Sequence, residues 1–290
     1  RPHSSGKSTP RIDSHVPMEV SLSDLTIQEP DWRALRQLFR ELEFKRLLQA
    51  IDRLAPPAAE AGAPRTAIVS TEQDLAVLVS ELHARPDRET ALVVWEGPAD
   101  DAGQHQDVVL ALSHAPETAW VVRFGRALAR TNAGQQFAQW LADPMRQKLS
   151  HDAKTALRLL GRIEVSLRGI VGDTMIAAHL LNPARTSQTL SDLADEHLEA
   201  PLGQAPEFHE DDLAGGPALE GLGRWATTVL QVHERLTPKL RDAQVMTLYT
   251  ELELPLVSVL AHMEVAGIAV DVDHLTGLRA SMGAKMAQLI

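Results

Sequence analysis

Acids and histidines are the side chains here most able to do chemistry, because the 290-residue sequence contains no cysteine. That excludes disulfides, thiolate zinc sites and cysteine nucleophiles. The twelve histidines show no HExxH or similar spacing, so no zinc site is assigned. Asp173 stands immediately before TMIAAHLL, where it reads as a helix N-cap rather than a metal ligand. The cluster HEDD at 209–212 has metal-like composition, but adjacent acids on an acidic loop read as a solvated turn. His151-Asp152 looks like a catalytic pair, yet sequence neighbours do not face each other on a helix. Trp95, Trp120 and Trp140 offer faces on which bases stack. Each lies in an apolar strand or helix stripe, which favours core packing. The basic run FKRLL (44–48) reads as one face of an amphipathic helix, not a phosphate site.

Composition narrows the class. Apolar residues are 44% and charged residues 23% of the chain, ordinary for a globular protein. No apolar run approaches the ~18 residues that span a bilayer, so no membrane association is expected. The net charge of −11 argues against an electrostatic DNA clamp, which needs a local excess of Lys and Arg. Zero cysteine fits the cytoplasm. The start at Arg1, and the end at Ile290 inside a helical pattern, both look cut from something longer. No secretory h-region follows the start.

The elements that must position these residues follow from periodicity. Residues 1–30, with Pro2, Pro10, Pro17 and Pro30, read as a linker. An amphipathic helix is predicted over 31–54, capped by Asp31, and APPAAEAGAP reads as a second linker. From about residue 65 come a strand (65–70) and a helix from Thr71 to about His83, with Ser70 and Gln73 at capping-box spacing. TALVVWE (90–96), QDVVLALS (106–113) and AWVVRF (119–124) read as three strands of an antiparallel meander, with turn residues at Gly97-Pro98 and Asp101-Ala102-Gly103. Helices are predicted at 133–142, in HDAKTALRLLG with Gly161 as its stop, and from Asp173 to just before Pro183. Further helices are predicted at about 189–198, 219–236 and 243–265. Residues 200–218 read as a loop, IAVD (268–271) as extended, and a last helix opens near Asp273. The pattern gives an α/β domain at 65–240, a mixed sheet with helices on its faces, between helical segments.

Three strings are more specific: LRQLFRELEFKRLL (35–48), LRGIVGDTMIAAHLLNPARTSQTLSDLADEHL (167–198) and YTELELPLVSVLAHMEVAGIAVD (249–271). In this order they resemble the bacterial DNA polymerase I family. The first is similar to the helix following the family's 5′ nuclease region (31–55 here). The second is similar to the latter half of its 3′–5′ exonuclease domain. The third is similar to the segment opening the polymerase domain and leading into the thumb (243–290 here). The resemblance implies a ribonuclease-H-like exonuclease fold over 65–240, and a parent enzyme that extends primers on template DNA with deoxynucleotides and Mg²⁺. It places the polymerase catalytic centre beyond Ile290 and implies a monomer. No cofactor is expected in the 290 residues themselves.

The resemblance also says where chemistry should be. Proofreading exonucleases hold two metal ions roughly 3.5–4 Å apart with several carboxylates, and Mg²⁺ requires hard oxygen ligands. At the Asp-x-Glu positions of the first core strand this sequence has Trp95 and Gly97. The second-motif Asp aligns with Ala156, with Asp152 one turn earlier, where the family has an amide-type residue. The third-motif Tyr and Asp align with Gly221 and Trp225. The expectation is a degenerate exonuclease domain with no metal ligands, acting as a structural module. The competing expectation is an active exonuclease that uses displaced carboxylates such as Glu96, Asp152 and Asp173.

Overall fold

A computed structural model describes residues 30–42, 44, 46–47, 50–51, 63–98, 107–185, 187–198, 202 and 217–289. The chain divides into two compact units, residues 1–57 and 58–290. The proline-rich segment before residue 30, most of APPAAEAGAP, the Asp101-Ala102-Gly103 turn and the HEDD cluster lie outside the described residues.

In the first unit, α1 (Trp32–Glu41) starts as expected, with Asp31 Oδ1 accepting the Ala34 N–H at 3.0 Å. It does not run through to 54. The Phe44 N–H reaches back to the Phe39 carbonyl at 2.8 Å, a wider step than the α repeat, and the two rings stand 6.2 Å apart. Helical backbone returns at 46–47 and 50–51. Periodicity alone did not reveal this break.

The second unit is built on one six-stranded sheet in the order β1-β4-β3-β2-β5-β6. The strands are β1 (Arg65–Val69), β2 (Thr90–Glu96), β3 (Asp107–Ala115), β4 (Thr118–Gly125), β5 (Lys148–Ser150) and β6 (Ile170–Asp173). The meander is as read: β2–β3 and β3–β4 are antiparallel, while β1–β4, β2–β5 and β5–β6 are parallel. Only β3 therefore runs against the rest. The carboxyl ends of β2, β5 and β6 share one edge, where parallel sheets place ligands.

Alternation along β2 divides the core. Leu92 and Val94 point to the side covered by α2 (Glu72–Ala84), α4 (Asn132–Ala142) and α5 (Ala153–Arg162). The intervening α3 (Arg126–Ala129) is a single turn. Ala91 and Val93 point to the other side, covered by α6 (Thr174–Leu181), α7 (Leu190–His197) and α8 (Pro217–Asp242). A β-carbon on Gly223 would meet the Ala119 side chain at 2.8 Å, so α8 lies hard against the sheet there. The chain closes with α9 (Met246–Leu248), a π-helical turn (Tyr249–Glu253), α10 (Leu254–Ala266) and α11 (Val272–Leu289).

Several boundaries differ from the sequence reading. The capping box is Thr71/Asp74, one residue on from Ser70/Gln73: Thr71 Oγ1 accepts the Asp74 N–H at 3.2 Å and Asp74 Oδ2 accepts the Thr71 N–H at 3.1 Å. Gly161 does not stop α5; the helix reaches Arg162 and turns off at Glu164, whose φ is +63°. The helix predicted to end at about 236 runs on through Pro238 to Asp242, with Leu236 and Leu240 on either side of the proline buried in one core. The predicted 243–265 helix is divided at the π turn. Gly267 does break the helix, with φ +67°.

β5 holds a residue that reads as exposed but is not. Lys148 is fully buried, its Nζ donating to the carbonyls of Asp143 (2.9 Å) and Arg146 (3.0 Å) and lying 4.8 Å from the centre of the Trp140 ring. Burial brings its pKa down to about 8, against the opposing pull of Asp143. Trp140 and Trp120 are themselves core residues.

Candidate functional site: the carboxyl edge of strands β2, β5 and β6

Trp95 and Trp225 meet. Trp95 projects from the end of β2 toward the α8 side, and its ring meets Trp225 edge to face, centroids 5.9 Å apart and planes at 83°. The contact joins the β2 and α8 positions where the resemblance calls for two carboxylates. Gly97 follows as β2 leaves the sheet, its N–H on the Asp107 carbonyl at 3.0 Å. A β-carbon there would stand 2.7 Å from that same oxygen, so any side chain at 97, a glutamate included, requires the backbone to move. Ala156 is not brought to the tryptophans. It is buried on the opposite side of the sheet with Leu92 and Val94. Gly221 sits on α8 with open space where a β-carbon would be.

The displaced acids are each placed by other bonds. Glu96 alternates to the face opposite Trp95 and forms an ion pair with Arg162 of α5. Asp152 caps α5 from a left-handed backbone (φ +59°), its Oδ1 accepting the Thr155 N–H at 3.1 Å. Asp173 caps α6, accepting the N–H groups of Met175 at 2.8 Å and Ile176 at 3.3 Å. Its carboxylate also reaches across to α5, accepting from Ala153 at 2.7 Å and Asp152 at 3.3 Å. Only 1% of Asp173 is exposed, and burial pushes its pKa up to about 6, against the backbone donors of Ala153, Ile176 and Met175 and with the help of the neighbouring Asp152 charge. One carboxylate thereby fastens the starts of two helices. The N-cap reading of Asp173 holds, and the link to α5 is what sequence spacing did not disclose.

His151 lies in the same knot, its Nδ1 2.9 Å from Thr174 Oγ1. Burial brings its pKa down to about 4, although Asp152 and Asp192 pull the other way. An unfolded chain takes up this proton near pH 6.5 and the folded one does not until about 4. The stability from keeping His151 neutral is therefore present above 6.5 and lost as pH falls through 4. Asp173, with its raised pKa, shifts stability in the opposite direction over much of that range, so the wild type alone will not report His151. The comparison that does is His151→Gln. Denaturant titrations at pH 7 and pH 4 are expected to move the stability difference by about 3 kcal/mol in the variant's favour. A pH-independent difference would contradict this.

Two of the aligned positions are filled by packed indoles and a third by a glycine with no room for a side chain. Among the described residues no three His, Cys, Asp or Glu side chains converge to hold an ion. Among those residues, too, no helix is long and apolar enough to cross a membrane.

Comparison with known proteins agrees with this architecture. A family model described as DNA polymerase I, ribonuclease H-like domain, matches residues 100–203. DNA polymerase I of Mycobacterium tuberculosis is 30% identical over 285 residues, covering 92% of this chain and 30% of that protein. The Bacillus subtilis DNA polymerase I is 27% identical over 288 residues, 96% of this chain and 31% of its own. The chain thus spans about a third of the length of these relatives. Among solved structures, the POL domain of Pol1 from M. smegmatis, in complex with DNA primer-template and dNTP, matches with a TM-score of 0.59 at 29% identity. The match covers 77% of this chain and 36% of that one. The catalytic core of RRP6 from Trypanosoma brucei shares the fold, with a TM-score of 0.54 at 20% identity over 70% of this chain and 54% of that one. The architecture is a ribonuclease-H-like exonuclease fold followed by helices.

Proposed function

From the premise that the chain belongs to the DNA polymerase I family, we propose that its exonuclease-like domain is a non-catalytic structural module. In this reading residues 65–240 are the module, 243–290 open the polymerase domain toward the thumb, and 31–55 follow a 5′ nuclease region. The module supports DNA-templated DNA synthesis in replication and repair. The parent enzyme is a monomeric cytoplasmic polymerase that takes primer-template DNA and deoxynucleotides and uses Mg²⁺ in a polymerase centre outside these residues. The observation that carries the reading is the Trp95–Trp225 contact, which joins two positions where ligands are expected. Mg²⁺ binds through oxygen, and an indole supplies none.

Keeping such a domain folded without its chemistry is inexpensive. The sheet and its two cores do not use the missing carboxylates, and clustered acids in a metal-free site repel one another. The competing reading, proofreading through Glu96, Asp152 and Asp173, is weakened by what those acids already do: one faces away from α8 and two cap helices. A 5′-labelled single-stranded oligonucleotide incubated with the chain and Mg²⁺ or Mn²⁺ is expected to remain intact. Metal-dependent shortening that disappears in Glu96→Ala would overturn the proposal.

A further inference from the structure

The last helices join the domain through a turn of different pitch. Between α9 and α10 the backbone widens to a π turn over Tyr249–Glu253, closed by the Leu254 N–H on the Tyr249 carbonyl. The Thr250 hydroxyl donates to the Met246 carbonyl at 3.0 Å. A π turn rotates everything after it relative to an unbroken α-helix. Something must choose the rotated arrangement.

Apolar packing is a poor chooser here. Val257 and Ala261 are the buried side chains of α10, but Leu256, Val259, Leu260 and Met263 on its other sides are apolar and exposed. A helix apolar around its circumference can exchange one face for another at little hydrophobic cost. Beneath it lies an open groove of about 830 Å³, lined by Leu157, Val165 and Ile170 facing Leu254, Val257 and Ala261. That groove leaves room for larger side chains to turn inward. The Lys154–Glu264 ion pair at 2.7 Å spans α5 and α10, but it is exposed and such pairs contribute little.

Tyr249 is the directional contact. Its side chain is 2% exposed; its hydroxyl donates to the Asp173 carbonyl at 3.1 Å and accepts the Asp173 N–H at 2.6 Å. The anchor is firm, since the Asp173 carboxylate is itself fixed to the starts of α5 and α6. Burial keeps the phenol protonated, so it remains able to donate. We propose that Tyr249 is a positioning residue whose hydroxyl, seated on the Asp173 backbone, holds the π turn and so sets the rotational phase of α10 on the exonuclease-like domain. The role concerns the joint itself and stands whether or not the domain is a nuclease.

Because the chain lacks cysteine, a pair introduced at Gln139 in α4 and Val259 in α10 can be spin-labelled selectively. Electron–electron distance measurements should give one narrow distribution. Tyr249→Phe keeps the ring and its burial and removes only the hydroxyl. It is expected to shift or split that distribution by several Å, since re-phasing a helix by one residue moves a surface position by about 8 Å. Phe137→Leu, which loosens the opposite core, should lower stability and leave the distance unchanged. An unaltered distance in Tyr249→Phe, or an equal shift in Phe137→Leu, would overturn the assignment.

Discussion

Asp173→Ala is expected to lower the unfolding free energy by about 4 kcal/mol, a large part of what a domain of this kind possesses. The substitution strips the acceptor from four backbone N–H groups at once, those of Asp152, Ala153, Met175 and Ile176. A helix cap alone is worth about 1 kcal/mol. The excess comes from α5, whose first amides lose their partner in a place water does not readily reach. Relief of the buried charge, evident in a pKa raised to about 6, offsets part of the loss. Asp173→Asn is expected to cost about half as much, because its remaining oxygen still caps α6 while its amide group cannot accept from Ala153. Urea denaturation of the three proteins at pH 7 checks the order. If Asp173 were instead a metal ligand, both substitutions would leave stability intact and remove only a metal-dependent activity.

Trp225→Ala is the second large effect, expected at about 3–5 kcal/mol. The indole is 8% exposed, and its edge-to-face contact with Trp95 adds to the area it buries. Trp225→Asp would restore the acid that the resemblance calls for at this position, yet it is expected to destabilise at least as strongly. It leaves a carboxylate against an indole, with no metal to neutralise it. Working active sites behave in the opposite way, since replacing a clustered ligand usually relieves repulsion and stabilises the fold. Thermal denaturation of Trp225→Ala thus separates a packed remnant from a working centre: a variant as stable as the wild type would argue for the latter.

Much of this architecture was legible beforehand because it rests on alternation and turn chemistry. The β2–β3–β4 meander, the capped start of α6 and the face opposite Trp95 to which Glu96 turns all follow from a period of two or from an N-cap. What was illegible depends on partners distant in sequence. Lys148 looks like a surface residue until the Asp143 and Arg146 carbonyls are folded over it. Asp173 is recognisable as a cap, but nothing local indicates its bonds to Asp152 and Ala153, and nothing around Tyr249 points to Asp173. The helix stops failed for a related reason. Gly161 is a weak breaker, and Pro238, just past the predicted end at about 236, is a strong one, yet the apolar residues around each are buried, and packing overrode the local preference. At the candidate site, aligned positions gave the identities Trp95, Gly97, Ala156 and Trp225. They did not show that the two indoles touch while Ala156 lies across the sheet.

The strand order has a kinetic corollary. β2, β3 and β4 pair with neighbours only a short stretch of chain away, so their loops are cheap to close. β1 is made first but must wait for β4, pairing Arg65 with Thr118 across the whole meander, and α8 settles on the sheet only after β6 and two helices have been laid down. Loop-closure cost therefore favours the meander as the first part of the sheet to pair, and β1, the earliest of the six strands in sequence, joins only once β4 is in place.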